Sequence, residues 1–262
     1  MVQNTEKYTV ITGASSGIGY ETAKAFAERG SSLILVARRK DRLETLRQEI
    51  LALHPMLDIV VKAADLTVRQ NVFQLYGSIE SYPLRTWVNN AGFGNYGSVG
   101  NQDLEKISRM LHLNVEALTV FSSLFVRDFK DKEGTQLINI SSCGGYTIVP
   151  NAVTYCAAKF YVSAFTEGLA WELKAAHAKM QAKVLAPAAT KTEFGKIAND
   201  VSEYDYDRLF CTYHTSTQMA AFLLELYDSD KTVGFVDRET FSFHLYEPQF
   251  QYAGSSCHNQ KM

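Results

Sequence analysis

Residues 8–19, YTVITGASSGIG, decide the fold of this protein. A short β-branched run leads directly into three glycines spaced GxxxGxG, and a helix-forming segment follows from Gly17 to Arg29. Glycines let the backbone turn tightly and approach an anion closely, and the positive end of the next helix then faces that anion. A strand before and a helix after are the context that this motif requires. The stretch therefore predicts a strand–turn–helix unit that cradles a pyrophosphate; the alternative is a glycine turn without a ligand.

The rest of the chain continues this alternation. Short apolar runs at 33–36, 59–61, 86–88, 136–140, 183–185 and 232–236 are separated by longer amphipathic segments at 41–53, 68–79, 104–129, 153–179 and 217–227. Strands that are apolar on both faces belong inside a sheet covered by helices on both sides. We predict an α/β protein with a Rossmann-type doubly wound parallel sheet of about seven strands. No repeat or linker-like stretch divides residues 1–262, which favours a single domain.

Two regions depart from the alternation. Residues 193–217 have poor periodicity but hold five aromatic side chains, which is typical of a substrate loop. The alternative is a surface excursion that packs its own aromatics. After Phe241 we expect a short strand and then a polar C-terminal tail.

Composition excludes several classes of protein. Lys and Arg total 26 and Asp and Glu total 28, a balance that argues against nucleic-acid binding and against a polybasic membrane surface. No apolar run is long enough to span a membrane or act as a signal peptide. The four cysteines are widely spaced, which suggests reduced thiols, a cytoplasmic location and no metal site. Cys257-His258 in the tail is only a weak metal candidate.

The second strand ends in Val36-Ala37-Arg38-Arg39-Lys40. Proteins that bind NAD commonly place a carboxylate here for the ribose 2′-hydroxyl, and none occurs before Asp41. A guanidinium instead suits a 2′-phosphate. The sequence predicts NADP(H), with Arg38 as the main contact and Arg39 in support; the alternative is a solvated charge run.

Tyr155 and Lys159 stand four residues apart at the start of a helical segment and so share one face. A neighbouring ammonium favours the phenolate and lowers the pKa of a tyrosine, which suits proton transfer near neutral pH. Ser142 follows an apolar strand thirteen residues before Tyr155 (155 − 142 = 13). The alternative candidate, Ser141, has the less suitable spacing.

In these residues the chain resembles a single-domain short-chain dehydrogenase/reductase. The resemblance covers Tyr8 to about Val236 and is carried by TGASSGIG at 12–19, Asp65-Leu66, Asn89-Asn90-Ala91-Gly92, Asn114, Ser142, Tyr155, Lys159, and Pro187 followed by Thr192. These elements occur in the family's order with the family's spacing. One departure is Pro187-Ala188, where the family has Pro-Gly.

The resemblance implies a role for each matching residue. Tyr155 would be the general acid/base, Ser142 would polarise the substrate carbonyl, and Lys159 would depress the pKa of Tyr155 and hold the nicotinamide ribose. Asn114 would position a water that links Lys159 to solvent. The cofactor contacts, several at the adenine, its ribose and the carboxamide, would come from Gly13, Ser15, Ser16, Gly17, Ile18, Gly19, Arg38, Arg39, Asp65, Leu66, Asn90, Ala91, Gly92, Tyr155, Lys159, Pro187, Thr190 and Thr192.

The resemblance also implies an activity and an assembly. We expect an NADPH-dependent reductase of ketone or aldehyde carbonyls, reversible as an alcohol dehydrogenase, that forms a homodimer or homotetramer. The alternatives are a non-catalytic dinucleotide-binding protein of the same fold and a nucleotide-sugar epimerase or dehydratase, although the latter needs a longer chain. Five side chains in the loops after strands four and five suggest an apolar substrate pocket, with ordinary loop packing as the alternative: Phe93, Tyr96, Tyr146, Ile148 and Val149.

Overall fold

In the computed structural model, which describes residues 7–254, strands and helices alternate along the chain. The strands are β1 (Tyr8–Thr12), β2 (Ser32–Ala37), β3 (Ile59–Ala63), β4 (Leu84–Asn89), β5 (Gln136–Ile140), β6 (Gln181–Ala186), β7 (Thr190–Lys191), β8 (His214–Thr215), β9 (Val233–Val236) and β10 (Phe243–Tyr246). The helices are α1 (Gly17–Glu28), α2 (Lys40–Leu53), α3 (Arg69–Gly77), α4 (Leu104–Leu111), α5 (Leu118–Phe129), α6 (Val153–Ala175), α7 (Phe194–Asn199), α8 (Tyr206–Leu209) and α9 (Ser216–Asp228).

The main sheet has eight strands in the order β10-β9-β6-β5-β4-β1-β2-β3. All neighbours are parallel except β9 and β10, so the doubly wound α/β prediction is confirmed, and the eighth strand is the antiparallel β10. The chain order reverses between β1 and β4. In open α/β sheets the crevice at such a reversal, at the carboxyl ends of the strands, is where ligands bind.

Helices cover both faces of the sheet, and each face has its own apolar core. Residues of α1, α2 and α9, such as Phe26, Leu43 and Leu223, pack on one face. Residues of α3 and α5, such as Val72 and Phe121, pack on the other, where Trp87 of β4 is fully buried. Strands that are buried on both faces explain why the sequence shows continuous apolar runs rather than alternation.

Residues 193–217 are more regular than the sequence suggests. They contain α7, α8 and β8, and β8 pairs with β7 in a small second sheet. This pairing joins residues more than twenty positions apart, so local periodicity could not reveal it. The short strand expected after Phe241 is present as β10, whereas the tail from 255 onward, with Cys257-His258, lies outside the described residues.

Candidate active site

A cavity of about 610 Å³ opens at the carboxyl edge of the sheet, at the point where the strand order reverses. It is lined by every residue that the sequence predicts for catalysis or cofactor binding, except Gly19 and Asn114. Those two lie against the lining residues Gly13 and Gly92, respectively. The structure therefore brings together residues that are spread over 180 positions of the chain.

The glycine-rich loop is packed tightly at its base. A Cβ on Gly19 would lie 2.4 Å from Nδ2 of Asn90 and 2.6 Å from the carbonyl oxygen of Gly13. The same Nδ2 donates to the carbonyl oxygen of Thr12 at 2.9 Å, and the Thr12 hydroxyl accepts from the backbone N–H groups of Asn90 and Ala91. Asn90 thus fixes the loop through its amide nitrogen, a role that the resemblance did not assign to it.

The two arginines after β2 have different surroundings. Arg39 donates to the hydroxyls of Ser15 and Ser16, at 3.0 and 2.8 Å, and forms an ion pair of 2.7 Å with Glu193. Glu193 also pairs with Arg42 at 3.0 Å. These contacts fasten the start of the 193–217 segment to the cofactor side of the cavity. Nothing in the sequence signals the ion pairs of Glu193 with Arg39 and Arg42, because Glu193 lies more than 150 positions from both arginines.

Arg38 is exposed and, among residues 7–254, makes no hydrogen bond or ion pair. Its charge faces Asp65, which accepts from the backbone and hydroxyl of Thr67. Burial alone would raise the pKa of Asp65, but the Thr67 hydrogen bonds and the Arg38 charge outweigh it and hold that pKa below its ordinary value. Arg38 is therefore an arginine at this end of the cavity whose side chain has no partner within residues 7–254.

Tyr155 and Lys159 lie on one face of α6 and are both nearly fully buried. The Lys159 ammonium donates to the carbonyl oxygen of Ile140 at 2.7 Å and lies 5.9 Å from the centroid of the Tyr155 ring. Burial lowers the pKa of Lys159 to about 8.

The expected lowering of the Tyr155 pKa is not present in this structure. Burial raises that pKa well above its ordinary value, and the hydrogen bond with Ser142 offsets only part of the effect. The cost of charging a buried phenol dominates in this structure, and the depression of this pKa by Lys159 stays a prediction.

The two serines after β5 are used differently. Ser141 contacts the Ser163 hydroxyl at 2.7 Å and donates to the carbonyl oxygen of Lys159 at 3.0 Å, so its hydroxyl fastens β5 to α6. Ser142 accepts from the backbone of Gly144 at 3.0 Å and lines the cavity beside Tyr155, whose pKa it acts to lower. The position of Ser142, like its spacing from Tyr155, favours it over Ser141 as the residue that would polarise the substrate carbonyl.

Asn114 lies in a π-helical segment, His112–Ala117, that joins α4 to α5. Its side chain donates to the carbonyl oxygen of Phe93 at 2.9 Å and accepts from the Phe93 backbone at 3.2 Å. Asn114 thus holds the loop after β4 in place. Single-turn π insertions in α-helices occur often at functional sites.

The far half of the cavity is mainly aromatic. Phe93, Tyr96 and Val149 line it as predicted, whereas Tyr146 and Ile148 do not. The 193–217 segment supplies Phe194, Ile197, Tyr204, Tyr206 and Phe210, some of which also pack on one another. Arg238 and Phe241, from the turn between β9 and β10, complete this wall, and the sequence analysis missed both.

Ala188, the departure from the family pattern, lines the cavity without backbone strain. Positive φ angles occur among the described non-glycine residues only at Asn151, His177, Asp200 and Phe241. Position 188 therefore has a conformation that alanine adopts freely.

Within residues 7–254 no group of His, Cys, Asp or Glu side chains is arranged to hold a metal ion. None of the helices in the described part of the chain has the length and apolar character needed to cross a bilayer.

Known proteins are similar to this chain in sequence and in fold. The chain is 30% identical to an uncharacterized oxidoreductase of Staphylococcus saprophyticus over 78% of its length and 83% of that protein, and 29% identical to L-xylulose reductase of Caenorhabditis elegans over 73% and 75%. The structure superposes with a TM-score of 0.79 on a short-chain dehydrogenase of Sphingobium yanoikuyae in complex with NADPH, at 28% identity and covering 87% of this chain and 86% of that one.

A family comparison covers the greater part of the chain. The family model described as short chain dehydrogenase matches residues 7–202, which include the glycine-rich loop, Ser142, Tyr155, Lys159 and the segment from Pro187 to Glu193. With the sheet order and the relatives, this match shows that the chain is an oxidoreductase of the short-chain dehydrogenase/reductase family.

Proposed function

We propose that this protein is an NADPH-dependent reductase of ketone or aldehyde carbonyls. The observation that carries the proposal is the single cavity that joins the glycine-rich loop and the unpaired Arg38 to Ser142, Tyr155 and Lys159. The glycine-rich loop at the N-terminus of α1 suits a pyrophosphate, and Arg38 suits a 2′-phosphate. The NADPH complex of the Sphingobium relative supports the choice of cofactor.

The buried side chains around Tyr155 can carry out the proton transfer of a carbonyl reduction. The dinucleotide, when bound, would supply the hydride. Ser142 would donate a hydrogen bond to the carbonyl oxygen and polarise it. Tyr155 would transfer its hydroxyl proton to that oxygen as negative charge develops.

Lys159 and Asn114 would support this proton transfer. Lys159 is held by the Ile140 carbonyl with its remaining N–H groups free for ribose hydroxyls and a proton path, and Asn114 fixes the neighbouring loop. With dinucleotide and substrate filling the cavity, the aromatic wall would exclude water, which would strengthen each of these interactions.

The first test needs no substrate. Titration of the protein with NADPH and, in parallel, NADH is followed by nicotinamide fluorescence, and a carbonyl panel is then screened with the preferred cofactor. We expect NADPH to bind at least about tenfold more tightly, which corresponds to about 1.4 kcal/mol. Tight binding without turnover on any carbonyl would favour the non-catalytic alternative.

Arg38→Ala should reduce the ratio of NADPH to NADH affinity by about tenfold, because a charge-assisted contact to phosphate is lost. Arg39→Ala is the matched control. Since Arg39 is already neutralised by Glu193, we expect its removal to weaken both cofactors to a similar extent. An unchanged ratio in Arg38→Ala would contradict the assignment of the phosphate contact.

Gly19→Ala should lower NADPH affinity by about tenfold or more, because the methyl group displaces Asn90 and the Gly13 carbonyl from the loop. Fluorescence titration measures the affinity, and circular dichroism checks that the variant is folded. Gly168→Ala, in α6 with no atom within 4 Å of the added methyl, is the control. It should bind NADPH normally and be slightly more stable, because alanine is the better helix former.

A further inference from the structure

Six charged side chains line the cavity, and their positions divide it into two halves. Four lie on the dinucleotide side and Lys159 lies at the catalytic centre, which leaves one in the aromatic half. The six are Arg38, Arg39, Asp65, Glu193, Lys159 and Arg238.

Arg238 lies far from the other arginines. It follows β9, which is two strands from β5, whose end carries Ser142, and five strands from β2, whose end carries Arg38. With strands about 4.8 Å apart, these offsets are on the order of 10 Å and 24 Å. Arg238 is therefore on the substrate side of Ser142 and is remote from the site of a 2′-phosphate.

The β9–β10 turn holds Arg238 in a defined place. The Asp237 carboxylate accepts from the backbone of Glu239 at 2.8 Å and of Thr240 at 2.7 Å, and the Asp237 carbonyl oxygen accepts from Phe241 at 3.0 Å. The neighbouring Phe241 lines the same wall and contacts His214 of the small sheet.

The Arg238 guanidinium has no partner within the described chain: none of its N–H groups is hydrogen-bonded and no carboxylate pairs with it. Burial raises the pKa of the Cys143 thiol, and the Arg238 charge acts on it in the opposite direction. The guanidinium is therefore within electrostatic range of the residue that follows Ser142. Arg238 is exposed at the edge of this mainly apolar wall, where an unpaired guanidinium suits an anion.

We propose that Arg238 binds a carboxylate of the substrate, with the guanidinium on the order of 10 Å from the reacting carbonyl. This inference rests on the proposed function and narrows it to carbonyl compounds that combine an apolar or aromatic body with an acidic end. The carboxylate would accept two parallel hydrogen bonds from the guanidinium, while Ser142 and Tyr155 hold the carbonyl oxygen.

The test compares pairs of ketones that differ only in charge. Para-acetylbenzoate and para-acetylphenylacetate are each measured beside the matching primary amide, with NADPH, in wild type, Arg238→Gln and Arg238→Lys. The control variant is Arg208→Gln, which removes an exposed arginine of α8 that does not line the cavity. Calorimetric binding of the same four compounds to the protein saturated with NADP⁺ gives a readout that does not depend on turnover.

Of the two acids, we expect wild type to prefer the one that is the better substrate over the matching amide by about tenfold in kcat/KM, mainly through a lower KM. Arg238→Gln should abolish this preference by lowering kcat/KM for the acids much more than for the amides, whereas Arg238→Lys should retain part of the preference and Arg208→Gln all of it. Equal use of acids and amides by wild type would overturn the inference and leave the reductase proposal intact. Arg238-dependent binding of the acids without any turnover would contradict the reductase proposal and leave the inference about Arg238 intact.

Discussion

Tyr155→Phe lowers kcat for carbonyl reduction by about a thousandfold, because general acid catalysis by a positioned side chain contributes about 10²- to 10⁴-fold. This loss corresponds to about 4 kcal/mol of activation free energy. The variant removes one oxygen from a side chain that is 7% exposed, so we expect the fold and the NADPH affinity to change little. The measurement is NADPH consumption with a saturating ketone, beside a fluorescence titration of cofactor binding.

Tyr96→Phe is the matched control for this variant. The Tyr96 ring lies 6.1 Å from the Tyr155 ring in the same cavity, and burial raises its pKa as well. The Tyr96 hydroxyl makes no bond to Ser142, and we expect its removal to change kcat by less than about fivefold. Equal losses in the two variants would contradict the assignment of Tyr155 as the proton donor.

Lys183→Met lowers the free energy of unfolding by about 3 kcal/mol, the second large effect that we expect. Lys183, in β6, is 1% exposed, and its ammonium donates to the carbonyl oxygens of Leu226, Tyr227 and Ser229 at 2.9, 3.0 and 2.6 Å. It thereby caps the C-terminal end of α9, where a positive charge also interacts favourably with the helix dipole. Methionine fills a similar volume but removes all three hydrogen bonds. The Leu226 and Tyr227 carbonyls keep donors from Ser229 and Gln136, whereas the Ser229 carbonyl loses the donor at 2.6 Å. Urea denaturation of the two proteins measures the difference.

Arg29→Gln removes a second positive charge from the same end of α9 and is the control. Arg29 pairs with Asp228 at 2.7 Å, but both side chains are substantially exposed, so the loss should stay below about 1 kcal/mol. If Arg29→Gln and Lys183→Met lost equal stability, charge rather than buried hydrogen bonding would explain the effect.

The stabilisation by Lys183 should also depend on pH. Burial lowers the pKa of Lys183 from 10.5 to about 8, so between these values the unfolded chain binds more protons than the folded one. The free energy of unfolding therefore rises with pH across this window. We expect the difference between wild type and Lys183→Met to grow from pH 8 to 10.5. A difference that shrank over this range would contradict a depressed pKa at this residue.

The sequence alone determined the parallel sheet and most of the residues of the candidate active site. Its apolar runs, buried on both faces, mark the strands, and the GxxxGxG loop between a strand and a helix marks the phosphate end of the cavity. Ser142, Tyr155 and Lys159 could be found because their spacing depends on local geometry, one strand end and one helical turn. The proposed cofactor, reaction and homo-oligomer stay predictions until they are measured.

Tertiary structure alone decided which charges are free and which are used. Arg38 and Arg39 are equivalent in sequence, yet Glu193 neutralises only Arg39, through an ion pair that joins distant segments. The raised pKa of Tyr155 and the place of Arg238 likewise follow from burial and strand order, which no local pattern encodes. Electrostatic interactions and desolvation act through space, so the chain had to be folded before the chemistry of these side chains could be assigned.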